Sequence, residues 1–102
     1  MTTDTIRQAA QLAFERYYWG RPGHAWATAG NAMQIRWEIV AAHVLNAPTQ
    51  FRAWDCHALY QQGHATACDW SDISTKTRDR WHAVHLVIRR VGDAAYADRR
   101  AA

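Results

Sequence analysis

Histidine and cysteine are the residue types of this chain that are most able to do chemistry. The 102 residues include six histidines and two cysteines, and four of these lie close together, at Cys56, His57, His64 and Cys68. Thiolate sulfur and imidazole nitrogen are common zinc ligands, and four residues separate His64 from Cys68, which is an acceptable spacing. The segment has no Cys-x-x-Cys or His-x-x-x-His pair, however, and the adjacent Cys56 and His57 would point about 100° apart on a helix. We therefore expect neither a metal nor another cofactor, with Cys56 buried and the histidines at the surface.

A nucleophilic active site has little support in the sequence. The two serines, Ser71 and Ser74, are typical of helix starts, and no Gly-x-Ser-x-Gly motif occurs. Cys68 could pair with His64 or His85 as a thiol and an imidazole, but in a chain with six histidines chance proximity is the simpler explanation. The five glycines are scattered singly, so the sequence has no glycine-rich phosphate loop. The sequence predicts a protein that is not an enzyme.

Basic side chains are concentrated in the last third of the chain. From Lys76 onward there are seven lysines and arginines against three acids, whereas residues 1–75 carry five bases and six acids. On a helix these bases flank the apolar stripe on two sides, while a groove-reading helix would place several of them on one exposed face. This pattern disfavours base readout. It leaves phosphate contact with a nucleic acid as an alternative function.

The elements that position these residues repeat. Residues 26–47 and 70–91 share a pattern at a shift of forty-four, each with two tryptophans eleven residues apart, followed by an apolar stripe of helical spacing. We predict a single all-α domain over residues 1–102, with four helices arranged as two repeated hairpins, about 4–46 and 49–91, and a short C-terminal tail. The predicted helices span about 4–19, 31–46, 50–62 and 75–91.

Capping and breaking residues set those boundaries. Candidate N-caps are Thr2 or Thr3, Thr49 and Ser74, and candidate stops are Gly20, Pro48, Gly63 and Gly92. The inward residues predicted for the four helices in turn are Ile6, Ala9, Ala10, Ala13, Phe14 and Tyr17; Met33, Trp37, Val40, Ala41 and Val44; Phe51, Trp54, Ala58 and either Leu59 or Tyr60; and Thr77, Trp81, Val84, Ile88 and Val91.

Aromatic and arginine side chains supply the candidate binding residues. Tryptophan, tyrosine and arginine are the residue types enriched at interface hot spots. The first-choice contact site is the cluster Arg16, Tyr17, Tyr18 and Trp19, followed by Trp54 and the pair Arg89 and Arg90. Ile35, Ile39 and Leu86 are apolar residues that the main stripes do not require, so they either join the hairpins or form an interface. A homodimer is therefore left open.

The chain shows no sign of export or of membrane insertion. Its first residues, MTTDTIRQ, lack a basic region followed by an apolar one, and no apolar run approaches the roughly 20 residues that span a bilayer. We expect a cytoplasmic protein without a membrane partner.

Residues 70–84, WSDISTKTRDRWHAV, resemble a tryptophan, turn and capped-helix segment of small phage- and prophage-encoded helical proteins. The resemblance implies an accessory protein that binds host machinery, a class that includes anti-CRISPR inhibitors. The leading hypothesis is therefore a non-enzymatic protein-binding module, and its more specific form is a phage-encoded inhibitor that covers a site on a host defence complex. The alternative is a nucleic-acid-binding accessory protein that uses the basic last third.

Overall fold

Four α-helices make up the chain in the computed structural model, which describes residues 2–47, 49–62 and 67–101. No strand occurs in these ranges, so the predicted all-α, four-helix class is confirmed. Short 3-10 turns precede the second and fourth helices. The helices are α1 (Thr3–Tyr17), α2 (Asn31–Asn46), α3 (Ala53–Gln61) and α4 (Thr75–Ala101), and the turns are Trp26–Thr28 and Trp70–Asp72.

Side-chain caps fix two of the helix starts where they were predicted. The Thr2 hydroxyl accepts a hydrogen bond from the Thr5 backbone N–H at 3.2 Å, and the Ser74 hydroxyl accepts one from the Thr77 N–H at 3.2 Å. Each cap satisfies a backbone donor that the first helical turn leaves without a partner.

Helix α3 begins three residues later than predicted, and its inward face is also different. Its first turn is closed by the Asp55 carboxylate, which accepts a hydrogen bond from the Arg52 N–H at 2.9 Å, so the predicted cap at Thr49 is wrong. Trp54 is 49% exposed and Ala58 is also exposed, although both were predicted to face inward. The predicted stop at Gly63 lies outside the described residues.

The buried residues of α3 are Ala53, Cys56 and His57. His57 is only 2% exposed, so the expectation that the histidines lie at the surface is wrong for this one. A shift of forty-three places these three residues on Ala10, Ala13 and Phe14, which are buried in α1. The buried positions of α3 therefore correspond to those of α1 in the repeat.

Helix α4 continues through Gly92 to Ala101, so the predicted stop at Gly92 and the separate tail are wrong. Gly92 lacks the positive φ that closes a helix, in contrast to Gly20 (φ 77°), which follows α1. A Cβ atom at position 92 would lie 3.0 Å from Cδ2 of Leu45 in α2. The glycine thus permits close packing of two helices.

Helices α1 and α4 run antiparallel. Near the end of α1, the ring of Tyr17 lies 4.9 Å from that of Trp81 in the first part of α4. At the other end, Thr5 shares a cavity with Ala95 and Asp98. Helix α1 also packs on α2, and α3 packs on both α2 and α4.

Two stacked indoles occupy the centre of the core. Trp37 and Trp81 are 0% and 1% exposed, and their ring centroids lie 5.6 Å apart with planes 14° from parallel. Tyr17 and Tyr60 flank the stack, with Tyr17 4.9 Å from Trp81 and Tyr60 5.1 Å from Trp37. The four rings join all four helices, because each helix contributes one of them.

Matched positions of the two hairpins make matched contacts. Phe14 lies 5.5 Å from Trp26 at an interplanar angle of 68°, and His57 lies 5.8 Å from Trp70 at 69°. The Gln34 amide donates to the Trp26 carbonyl at 2.7 Å, while Arg78 Nε donates to the Trp70 carbonyl at 3.1 Å. Both donors lie eight residues after their tryptophan. The repeated-hairpin interpretation stays a prediction, and these paired contacts support it.

None of the helices in the described ranges combines the length and the apolar content needed to cross a membrane.

Substitutions at Trp81 test the central stack. Trp81→Ala should lower the free energy of unfolding by roughly 3–5 kcal/mol, because it leaves a cavity beside Trp37. Trp81→Phe should cost only about 1–2 kcal/mol, since it keeps most of the ring and removes an Nε1–H that has no hydrogen-bond partner among the described residues. Urea unfolding followed by circular dichroism measures both. Equal losses for the two variants would contradict this account, and the exposed Trp19→Ala is the control.

A double-mutant cycle tests the helix through Gly92. In a Leu45→Ala background, Gly92→Ala should stabilise the protein by about 1 kcal/mol, because alanine favours a helix interior over glycine. In the wild-type background the gain should be smaller or reversed, since the new methyl group meets Leu45 Cδ2. The free energy of unfolding of all four variants supplies the comparison. Destabilisation by Gly92→Ala in both backgrounds would mean that α4 does not pass straight through this residue.

Candidate functional site

An open groove runs between α1 and the second half of α4. Its volume is about 620 Å³, the largest among the cavities described here. Apolar side chains form most of its floor, and charged side chains stand at its edges. We call it the α1–α4 groove, and it is lined by Thr5, Gln8, Leu12, Glu15, Arg16, Trp19, Val87, Arg90, Val91, Ala94, Ala95 and Asp98.

The hollow shape of the groove follows from side-chain size. Ala94 and Ala95 leave space beside α1 at the level where a larger residue would fill it. Leu12 lies on the opposite wall and is 40% exposed, although it is a large apolar residue. Leu12 and Val87 lie off the inward stripes of their helices, so the core does not require them. An apolar surface of this kind, with a polar edge, is typical of a binding site.

Trp19 stands at one end of the groove and is 76% exposed. It follows α1 in a turn in which the Trp19 N–H donates to the Arg16 carbonyl at 3.3 Å and the Arg21 N–H donates to the Tyr18 carbonyl at 2.9 Å. Gly20 then takes a positive φ of 77°, which leads the chain away from the helix axis. The backbone hydrogen bonds therefore fix the point at which the Trp19 side chain leaves the main chain.

The four charged groups of the groove balance each other in number. Arg16 and Arg90 are basic, whereas Glu15 and Asp98 are acidic. Among the described residues, none of these four groups forms an ion pair. An ion pair is formed instead by Arg7 and Glu38. The groove has no net charge and keeps four charged groups available to a partner.

The structure divides the predicted cluster of residues 16–19. Arg16 and Trp19 line the groove, but Tyr17 and Tyr18 are half-buried and pack on the core. The Tyr18 ring lies 4.8 Å from that of Phe14, and the Tyr18 and Tyr60 hydroxyl groups are 3.5 Å apart. Burial raises the pKa of both Tyr17 and Tyr18, and the hydrogen bond to Tyr60 raises that of Tyr18 further. The two tyrosines therefore contribute to the core and expose less of their surface than Arg16 and Trp19 do.

The remaining predicted site residues lie on three different surfaces. Arg90 lines the α1–α4 groove, whereas Arg89 lines a separate cavity of about 220 Å³ beside α2. Successive helical residues point about 100° apart, which explains the separation of these two arginines. Trp54 lines a third cavity, of about 470 Å³, between α3 and the chain before α4. The predicted residues therefore do not form one site.

Cysteine and histidine chemistry has a limited basis in the described structure. Within residues 2–47, 49–62 and 67–101, no three His, Cys, Asp or Glu side chains are grouped so that they could hold a metal ion. Burial raises the pKa of the Cys56 thiol to about 12, which makes it a poor nucleophile at neutral pH. Cys68 is exposed, while His64 lies outside the described residues.

Sequence reasoning missed the floor of the groove. Leu12, Val87, Ala94 and Ala95 were not among the predicted site residues, and Val91 was predicted as core. The sequence held one signal for this surface: Leu12 lies next to the inward stripe of α1, and Val87 lies next to that of α4. Such residues identify a shared surface only when the two helices are known to be antiparallel neighbours.

Comparison of the chain with protein-family models, with curated proteins and with solved structures found no match.

His57 is a polar group inside an aromatic pocket. Its ring lies 5.8 Å from that of Trp70 and 5.7 Å from that of Trp81. Its Nε2 atom is buried without a hydrogen-bond partner among the described residues. Burial lowers the pKa of His57, and the nearby Asp69 carboxylate opposes this only in part. The folded protein therefore favours the neutral imidazole.

Acidification should destabilise the fold through His57. The unfolded chain takes up a proton at its ordinary pKa of about 6.5, whereas the folded state resists protonation, so stability falls as the pH drops through this value. His57→Phe, which copies Phe14 at the matching position of α1, should reduce the slope of unfolding free energy against pH between about pH 7 and 5. His85, whose pKa is also lowered by burial, should supply part of the remaining slope.

Urea unfolding at several pH values measures this slope. The exposed Trp19→Ala, which removes no titratable group, is the control, and its slope should equal that of the wild-type protein. An unchanged slope in His57→Phe would contradict the assignment.

Proposed function

We propose that this chain is a non-enzymatic protein-binding module that uses the α1–α4 groove, with Trp19 as the anchor. One observation carries the proposal: a tryptophan that is 76% exposed stands at the end of an open, largely apolar groove. Leu12 on the wall and Arg16 at the edge complete a surface with the composition of an interface hot spot.

The energetics of exposure support this proposal. Burying a large apolar side chain contributes about 1.5–3 kcal/mol, and Trp19 gains little of this within its own chain. Leu12 is similarly unused by the core. On contact with a partner, Trp19 would gain most of this free energy and Leu12, which is 40% exposed, would gain a smaller part.

The described polar groups give little support for catalysis. Cys56 is closed off in the core with a raised thiol pKa, and His57 is enclosed by tryptophan rings. The groove is lined by two acids and two bases without a histidine or a cysteine. A binding role would use the apolar side chains, the charged groups and the exposed tryptophan of this surface.

The finer proposal is an inhibitor of a host defence complex that acts by covering a site on its partner. It rests on the resemblance of residues 70–84 to phage-encoded helical proteins. The balanced charge of the groove favours recognition of a mixed protein surface over imitation of a nucleic acid. We place the protein in the cytoplasm, which agrees with its two free cysteines.

The structure gives no specific support to the nucleic-acid alternative. Arg78 donates to the carbonyl groups of Trp70 and Ser71, at 3.1 and 3.0 Å, and so serves the local fold. Arg100 lies over the Tyr96 ring at 5.8 Å. Arg89 and Arg90 line different cavities, so the bases of α4 are spread around the helix.

Photo-cross-linking tests the groove as a protein-binding surface. A photoreactive amino acid at position 12, introduced in the cell that produces the chain, should form protein adducts that mass spectrometry can identify. The same group at Leu86, which is 48% exposed but does not line the groove, is the matched control and should form few adducts. Trp19→Ala should reduce the yield at position 12 by at least about threefold, since it removes the anchor.

Equal protein adducts at positions 12 and 86 would contradict the proposal. Nucleic-acid adducts together with salt-sensitive retention on DNA or RNA would instead favour the alternative function.

A further inference from the structure

We propose that the partner in the α1–α4 groove is a second copy of this chain, so that the two grooves meet in a symmetric homodimer. This inference rests on the proposed protein-binding function of the groove. The twofold axis of this dimer would pass beside Leu12, perpendicular to the long axes of α1 and α4. It would place the α1 helices of the two copies antiparallel to each other. A symmetric dimer requires one surface to complement itself, and three features of the groove meet this requirement.

The first feature is the position of Trp19 relative to an unfilled cavity. A cavity of about 240 Å³ lies at the other end of the groove, beside Thr5, Ala95 and Asp98. Thr5 lies seven residues before Leu12 in α1, or roughly 10 Å at the helical rise, and Trp19 lies on the other side of Leu12, two residues beyond the end of α1. A twofold axis at Leu12 therefore brings each Trp19 to the cavity of the other copy.

The second feature is the arrangement of charge. Helix α4 runs antiparallel to α1, so the axis at Leu12 brings Arg16 within about one helical turn of Asp98 in the second copy. By the same register, Arg90 comes within about one turn of Glu15. Each groove charge then has an opposite partner, and each pair forms twice.

The third feature is the apolar floor. Leu12 of one copy meets Leu12 of the other on the axis. Val87 of each copy lies opposite Ala95 of the other. The side chains on either side of the axis are small or aliphatic, which allows two helical surfaces to approach closely. This neutral surface offers no net electrostatic attraction to a partner of large net charge. The groove of a second copy, by contrast, brings complementary groups to both ends.

Sedimentation velocity over a range of protein concentrations tests the dimer. The wild-type chain should shift from monomer to dimer as its concentration rises. Trp19→Ala should raise the dimer dissociation constant at least about tenfold, because each dimer loses two anchors. Tyr96→Ala is the matched control, since Tyr96 is an exposed aromatic residue that lines the separate cavity beside α2, and it should leave the dissociation constant unchanged. Circular dichroism checks that both variants remain folded.

Charge reversal tests the symmetry itself. Arg16→Asp and Asp98→Arg should each weaken the dimer, because each places like charges opposite one another. The double variant should recover most of the lost affinity. An equal mixture of the two single variants should recover it as well, because a dimer of one Arg16→Asp copy and one Asp98→Arg copy has opposite charges in both pairs. Recovery requires the two residues to meet across copies, which an unrelated partner would not produce.

A wild-type chain that stays monomeric at the highest concentration overturns the homodimer, as does failure of the double variant to recover affinity. If position 12 still cross-links to a different protein in a Trp19-dependent way, the proposed function stands without the dimer. If neither the dimer nor these cross-links are observed, both proposals fail.

Discussion

The stack of Trp37 on Trp81 is the contact on which the rest of the molecule depends. Each indole buries roughly 150–250 Å² of surface, which contributes on the order of 4–6 kcal/mol at 25 cal/mol per Å². A domain of this size is stable by about 5–15 kcal/mol in total, so either ring accounts for a large part of the net stability. Because one indole comes from α2 and the other from α4, the stack also fixes how the two hairpins meet. Tyr17 and Tyr60 extend it to the remaining helices.

This aromatic centre determines which groups are left for the surface. Tyr17 and Tyr18 follow the inward side of α1 and contact other rings, so their polar ends are held within the protein. Trp19 lies beyond the last helical turn, where the chain bends at Gly20, and it cannot join them. The same centre tolerates polar atoms, since His57 occupies on α3 the place that Phe14 occupies on α1. Burial lowers the pKa of His57, so the folded protein favours its neutral imidazole.

The groove depends on a different constraint, the passage of α4 through Gly92. With no side chain at that position, α4 packs against Leu45 and continues as a helix to Ala101. Its second half then lies antiparallel to α1 and supplies Ala94, Ala95 and Asp98. Without this extension, the groove would keep Val87, Arg90 and Val91 but would lose the part of its wall that lies beside Thr5. Helix length therefore completes the site, whereas the tryptophan stack creates the core.

The amino-acid sequence by itself determined the all-α class, the four helices and most of the core. Helical spacing of apolar residues is a local property, and caps such as Thr2 and Ser74 act within one turn, so both can be recognised without a fold. Only the tertiary structure decided the path through Gly92, because the same glycine can end a helix or permit close packing, and Leu45 lies forty-seven residues away. It also decided which of Arg16, Tyr17, Tyr18 and Trp19 are exposed at the surface. Exposure depends on the neighbours that cover a side chain, and those neighbours come from other helices.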